Sequence, residues 1–304
     1  MKVVTWNVRG ACSPHKKYML WETLLSKEWD VLCAVERKCH ELAGSTVHLR
    51  GYSSFYVGHR NNHYSGVVLI VRDKYYPQLV HNDPYGRYLV LEITFFGEVV
   101  WVVGIYAPNQ ATQRIALWGS LLQTLYVGRP GLLMGDFNMC VDASQSTSEH
   151  SIMDDPEQLA WDSLAMEVLT LDVWIWLHGN DPGFTFQSAQ HRETWSRLDR
   201  MYVMHNDSFL PPSLNMKVLQ DVGTSDHFPI CLEVCNHGID MYKSLLGKPP
   251  LRFNSSLLLQ PHFDSLMEQI LVNFSQEVNL LDIQSQLHAI ICQLQCQSYH
   301  YAKM

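Results

Sequence analysis

Cysteine is sparse in this sequence and never grouped as metal ligands are. Eight cysteines are spread over 304 residues without a CxxC pair. Cys292 and Cys296, four residues apart near the end, form no CxxC pair. A disulfide scaffold and a structural zinc site are excluded on that ground, and free thiols in a reducing compartment are expected. No segment approaches the roughly 20 apolar residues of a membrane span. The opening MKVVTWNVRG carries a short apolar run broken by Asn7 and Arg9, so it reads as a strand and not as a signal peptide. A soluble, intracellular protein is expected. Positive charge is also in deficit, with 22 Lys and Arg against 30 Asp and Glu and a net charge of −8. That argues against a nonspecific nucleic-acid binder working by phosphate neutralisation alone. An enzyme that gathers carboxylates round a cation stays open. Internal repeats and low-complexity tracts are lacking too.

What is present is a succession of short apolar runs separated by turn signals. They are VVTWNV (3–8), VLCAVE (31–36), GVVLIV (66–71), YLVLEITFF (88–96), VVWVVGIY (99–106), GLLMGDFN (131–138), RLDRMYV (197–203) and HFPICLEV (227–234). Their length and their Val, Ile, Leu and aromatic content predict strands. Helical patterns lie between them at 16–29, 113–126 and 156–169, the last with Pro156 at its first turn. In the first, Met19, Leu20, Thr23, Leu24 and Trp29 fall near one face. Interleaved elements, with several strands apolar on both faces, predict an α/β sandwich of layers. Near residue 236 the character changes: KPPLRFN (248–254) is extended, and 262–274 and 282–295 read as amphipathic helices. Leu287, Ile290, Ile291 and Leu294 share one face there, as packing helices require.

The polar residues recur at one kind of place. Asn7, Glu36, Asp136, Asn138 and Asp199 are assigned to the ends of apolar runs, Tyr106 closes another, and Asp226 and His227 directly precede one. Singly, each is an ordinary turn or strand-edge residue. If the strand ends share a rim, the set converges, as an active site requires. Its chemistry is that of hard oxygen donors, which suit Mg²⁺ better than zinc. His227, with Asp199 to hold its tautomer, is suited to acid–base work or to stabilising phosphoryl oxygens. These parts fit metal-assisted hydrolysis of a phosphodiester.

The ordered set TWNVRG, Glu36, YAPN, GDFN, SRLD and SDH resembles the endonuclease/exonuclease/phosphatase superfamily from residue 1 to about 235. Within it, DVWIWLHGNDPGFTFQSAQHRETWSRLDRMYV (172–203) is similar to the apurinic-endonuclease-like domain of LINE-type (non-LTR) retrotransposons. LRFNSSLLLQPHF (251–263) resembles the connector between that nuclease and a reverse transcriptase. The resemblance implies a four-layered α/β sandwich, two packed mixed β-sheets flanked by helices. It also implies a catalytic domain at 1–235 and, at 236–304, a connector with a helical C-terminal extension leading towards a missing reverse transcriptase.

The same resemblance implies residue roles. Glu36 is the principal metal ligand, with Asn7 and Asp226 nearby. Asp136 positions or activates water, held by Asn138. His227, paired with Asp199, contacts the scissile phosphate. Tyr106 touches the phosphate or protonates the leaving oxygen. Asn109 and Thr185 support substrate contacts, and Ser225 shapes the loop. The implied activity is nicking of DNA with Mg²⁺, or Mn²⁺ in its place, by a monomer in the nucleus. Two departures stand out: Val35 replaces the usual Gln before the glutamate, and Ser65–Gly66 replaces Gly–Gly. The first removes a polar neighbour of Glu36, weakening a supporting hydrogen bond. Alternatives remain open: a repair-type apurinic endonuclease, another phosphoesterase of the superfamily, or a decayed, element-derived binding protein.

Overall fold

Residues that are β-branched or apolar at every position of a short run can be buried on two faces at once, and the strands of this protein use that property. The computed structural model describes residues 1–10, 29–36, 50–59, 62–95, 97–125, 129–148, 153–168, 170–204, 213–220 and 225–235. The predicted helix at 16–29 lies outside them except for Trp29, and so do the extended and helical segments after residue 235. The described strands begin with β1 (Lys2–Asn7), β2 (Val31–Val35), β3 (Tyr52–His59), β4 (Asn62–Arg72), β5 (Gln78–Asn82), β6 (Tyr88–Phe95) and β7 (Glu98–Tyr106). They continue with β8 (Gly131–Asp136), β9 (Thr170–Asp172), β10 (Phe186–Gln187), β11 (Trp195–Ser196), β12 (Asp199–Met204), β13 (Ser213–Val218) and β14 (Ile230–Cys235). The helices are α1 (Ala111–Thr124), α2 (Asp155–Glu167) and the single-turn-and-a-half α3 (Val173–His178). Among the described residues no helix is long and apolar enough to cross a membrane.

Two six-stranded sheets result, ordered β13-β14-β1-β2-β4-β3 and β5-β6-β7-β8-β12-β9, while β10 and β11 form a separate hairpin. Each sheet is mixed and holds one parallel pair near its centre, β1 with β2 and β7 with β8. The fold is an α/β sandwich. β2, β8 and β12 are buried along their whole length; β2 is apolar throughout, whereas β8 ends in the buried Asp136 and β12 opens on the buried Asp199 and Arg200. Between the sheets, the Cys33 thiol reaches the Met134 carbonyl at 3.8 Å. A side chain at Gly104 would meet Val67, Cys33 and Leu69 within 2.8–3.1 Å, so glycine there permits the close approach of the layers. On the outer face of the second sheet, Trp118 and Trp161 from α1 and α2 pack edge to face and enclose Phe137 and Tyr202. The described cysteines, Cys33, Cys140 and Cys231, are buried free thiols.

Helices α1 and α2 begin one or two residues ahead of their predicted starts, Asp154 capping the second through the Glu157 amide. Several strand boundaries differ from expectation, two of them at residues of the rim. Strand β14 starts at Ile230, not at His227, because Pro229 has no N–H to give a ladder. Asp199 opens β12 instead of closing a strand. That reversal does not move it away from the rim. Strands β1 and β2 end together, Asn7 opposite Val35, and β7 and β8 end together, Tyr106 opposite Asp136. An antiparallel neighbour begins where a parallel pair ends. Asp199 therefore stands opposite Asp136, and 225–227 precede β14 beside the end of β1.

Candidate active site

Asn7 joins the two sheets at this rim. Its amide nitrogen donates to Glu36 Oε2 at 3.0 Å and to Asp136 Oδ2 at 2.8 Å, while its oxygen accepts from the Arg9 amide at 2.9 Å. One Asn7 amide group thus bonds a carboxylate from each sheet. Glu36 follows directly on β2 with φ +55°, its amide held by the Gly66 carbonyl at 3.1 Å. The apolar Val35 does not disturb this, because it is fully buried opposite Val67. Backbone bonding supplies the orientation there. Tyr106 turns its hydroxyl to Glu36, and burial, with Glu36 and Asp136 beside it, raises its pKa.

Asp136 receives a further bond from the Asn138 amide at 2.9 Å, and the Asn138 side chain is pinned to the Ala107 carbonyl at 2.7 Å. The tight GDFN turn needs its glycine: Gly135 has φ +146°, and a Cβ there would lie 1.8 Å from the Ile105 carbonyl. Asn138 at φ +49° closes the turn in the left-handed region that asparagine tolerates. Burial raises the Asp136 carboxyl to about 6, Asp199 adding to the effect while His227 and the hydrogen bonds from Asn7 and Asn138 oppose it.

His227 Nδ1 lies 2.8 Å from Asp199 Oδ2, and both residues are buried. The same oxygen accepts the Thr185 hydroxyl at 2.8 Å, and that hydroxyl in turn accepts the amides of Leu198 and Asp199. Thr185 is 1% exposed, so it serves Asp199 from beneath. Trp6 holds the His227 backbone, donating to its carbonyl at 3.1 Å, and the imidazole packs against the Phe186 ring at 4.9 Å between centroids. Burial alone would lower its pKa. The charge and hydrogen bond of Asp199, with Asp136 and Asp226, outweigh that and raise it to about 9, so the ring is an imidazolium at neutral pH.

Ser225 donates to the Asn7 carbonyl at 2.8 Å and accepts the His227 amide at 3.2 Å, shaping the loop that carries Asp226 and His227. Asp226 is met by Arg9, as Nε to Oδ1 at 2.8 Å and Nη2 to Oδ2 at 2.8 Å. Asn109 stands apart: its side chain is exposed, and its carbonyl accepts Arg114 at 2.7 Å. Sequence reasoning assigned no role to Arg9, Trp6 or Phe186. Arg9 and Trp6 lay inside the quoted TWNVRG, but nothing local marks which charge they face. Nor did it find the buried Arg200, which holds the loop after Asp136 through the Met139 carbonyl and Gln145.

The donor chemistry suits a hard divalent cation. Atoms of Asp136, Asp199 and His227 lie within 4.8 Å of one another. Glu36 and Asp226 add carboxylates linked to them through Asn7 and Arg9. Four carboxylates against one guanidinium and one imidazolium leave an excess of two negative charges. Asp199 Oδ1 is buried without a hydrogen-bond partner, a lone pair left open to a cation.

Residues 4–227 match the Endonuclease/Exonuclease/phosphatase family. The chain belongs to this family. It is accordingly a metal-dependent phosphodiesterase, a hydrolase using a divalent ion. Solved structures carry the same fold. An AP endonuclease from Archaeoglobus fulgidus has a TM-score of 0.61 at 18% identity, with 77% of this chain and 99% of that one covered. The endonuclease domain of TRAS1, a telomere-specific non-LTR retrotransposon, has a TM-score of 0.56 at 14% identity, covering 78% and 99%. The 3' phosphatase NExo from Neisseria, bound to a product DNA hairpin, has a TM-score of 0.61 at 19% identity, covering 77% and 99%. At these identities the likeness is one of fold. In this family member the sandwich brings Asn7, Glu36, Tyr106, Asp136, Asn138, Asp199, Ser225, Asp226 and His227 to one rim, with Thr185 beneath it.

Proposed function

We propose that the protein is a Mg²⁺-dependent DNA endonuclease of the LINE type, with Mn²⁺ serving in place of Mg²⁺, that nicks target DNA for retrotransposon integration. The observation that carries this is the single Asn7 amide group bonded to both Glu36 and Asp136, with the His227–Asp199 pair beside Asp136. In this reading residues 1–235 are the catalytic domain, and 236–304 form the connector with its helical extension. The connector leads towards a reverse transcriptase in a longer polyprotein, and the nuclease works in the nucleus as a monomer.

Glu36, with Asn7 and Asp226 nearby, would hold the cation, which supplies charge neutralisation at the phosphate. Asp136, ionised above a pH of about 6, takes a proton from the attacking water; Asn7 and Asn138 orient it. His227, with Nδ1 occupied by Asp199, offers its Nε2–H to a phosphoryl oxygen as charge builds there. Tyr106, kept protonated by burial beside Glu36, stands where it can donate to the leaving oxygen. Exposed Asn109 is a substrate contact, and Thr185 acts through Asp199.

The test is relaxation of supercoiled plasmid with and without Mg²⁺, beside Asp136→Asn and His227→Ala. Nicking should require the ion and fall by about 10²–10³-fold or more in each variant. An abasic duplex cleaved far faster than an intact one would move the reading to a repair enzyme. A folded protein that neither nicks nor binds the ion would sink it in favour of a binding role.

A further inference from the structure

Arg9 is the residue of the rim that the catalytic reading leaves unused. Its backbone is clamped at three points: the Val8 amide to the Val35 carbonyl at 3.2 Å, the Arg9 amide to Asn7 Oδ1 at 2.9 Å, and the Gly10 amide to the Glu36 carbonyl at 2.8 Å. Arg9 itself sits at φ +45°, a conformation that long side chains rarely adopt, followed by Gly10 at φ +86°. This stitching turns the side chain back over the site. The guanidinium then forks onto Asp226, with both contacts at 2.8 Å, and its Nε lies 3.8 Å from Glu36 Oε2. A planar fork on a carboxylate is the strong, oriented form of this ion pair. The two carboxylates it serves are those assigned to the cation.

We infer that Arg9 is a built-in counter-ion that competes with the divalent cation for Asp226 and Glu36 and so sets the site's metal affinity. The inference rests on the reading that these two carboxylates hold the ion. Its reason is electrostatic. A positive charge within 4 Å of one ligand and forked onto another repels a dication and occupies oxygen lone pairs the dication would use. Removing the charge should therefore tighten metal binding. A merely structural Arg9, whose task is to hold the Asp226 loop, predicts the opposite sign, since its loss would misplace a ligand.

The experiment is Mn²⁺ binding to the full chain, measured by calorimetry at constant ionic strength, in wild type, Arg9→Gln, Arg9→Lys and Glu36→Gln. Arg9→Gln should bind about tenfold tighter or more, and Arg9→Lys, which keeps the charge but not the fork, should stay within about threefold of wild type. Circular dichroism melts confirm that each variant is folded. If wild type binds Mn²⁺ and Arg9→Gln binds it equally or more weakly, the counter-ion role is overturned. If Glu36→Gln binds as wild type does, or no variant binds Mn²⁺, it is the assignment of these ligands that fails.

Discussion

His227 is held by a charge that burial would otherwise forbid. Its pKa rises from 6.5 to about 9 because Asp199, Asp136 and Asp226 outweigh the desolvation of the ring. A group whose folded pKa is raised contributes stability that is complete below its unfolded pKa and is lost as pH climbs through the folded one. The melting temperature of the wild type should therefore fall between pH 6.5 and about 9, and His227→Gln should lack that fall. Melts across this range check it; parallel curves for the two proteins would show that the pair carries no linked proton. Asp136 follows the same sign at lower pH. Its carboxyl, raised from 3.8 to about 6, loses stability as pH climbs between those values.

The elements carry the geometry through their ends. The strand–turn GLLMGDFN succeeds because Gly135 allows β8 to lie against the Ile105 carbonyl and Asn138 closes the turn. Gly135→Ala forces a Cβ onto backbone, and a neighbouring strand cannot yield as a flexible side chain would. It should cost more than about 3 kcal/mol or prevent folding, read from a urea titration, whereas Gly119→Ala on α1, with open space around it, should be neutral or stabilising. The predicted helices at 113–126 and 156–169 were legible because their apolar spacing repeats over several turns. Helix α3, six residues long, and the fully exposed edge strand β5 have too little period or burial to announce themselves.

At the scale of the molecule, the proposed DNA substrate would bring a polyanion to a negatively charged chain. A net charge of −8 opposes DNA at long range, so affinity has to come from local contacts at the rim. The slope of log K against log salt for Asp136→Asn binding a labelled duplex should be shallower than the about −5 to −9 of a protein neutralising six to ten phosphates. A steeper slope would reveal a basic surface that the formal charge conceals. The shared rim belongs to this scale too. Each sheet has one parallel pair flanked by an antiparallel strand, so strand ends and strand beginnings meet along one edge.

Eight of the described strands and the two long helices could be read from order and spacing, since short apolar runs and their polar termini are local features of a chain; the roles of the rim residues came from the family resemblance. Charge pairing could not. That Arg9 faces Asp226 across 217 positions, or that Arg114 meets Glu157 in the helix layer, depends on which segments the sheets bring side by side. The hydrogen bond of Thr185 was hidden for the same reason: its hydroxyl looks like a surface group until burial gives it Asp199 as a partner. Even the place of Asp199, at the start of a strand instead of its end, came from strand direction, which is set by pairing between distant segments and written in no single run of residues.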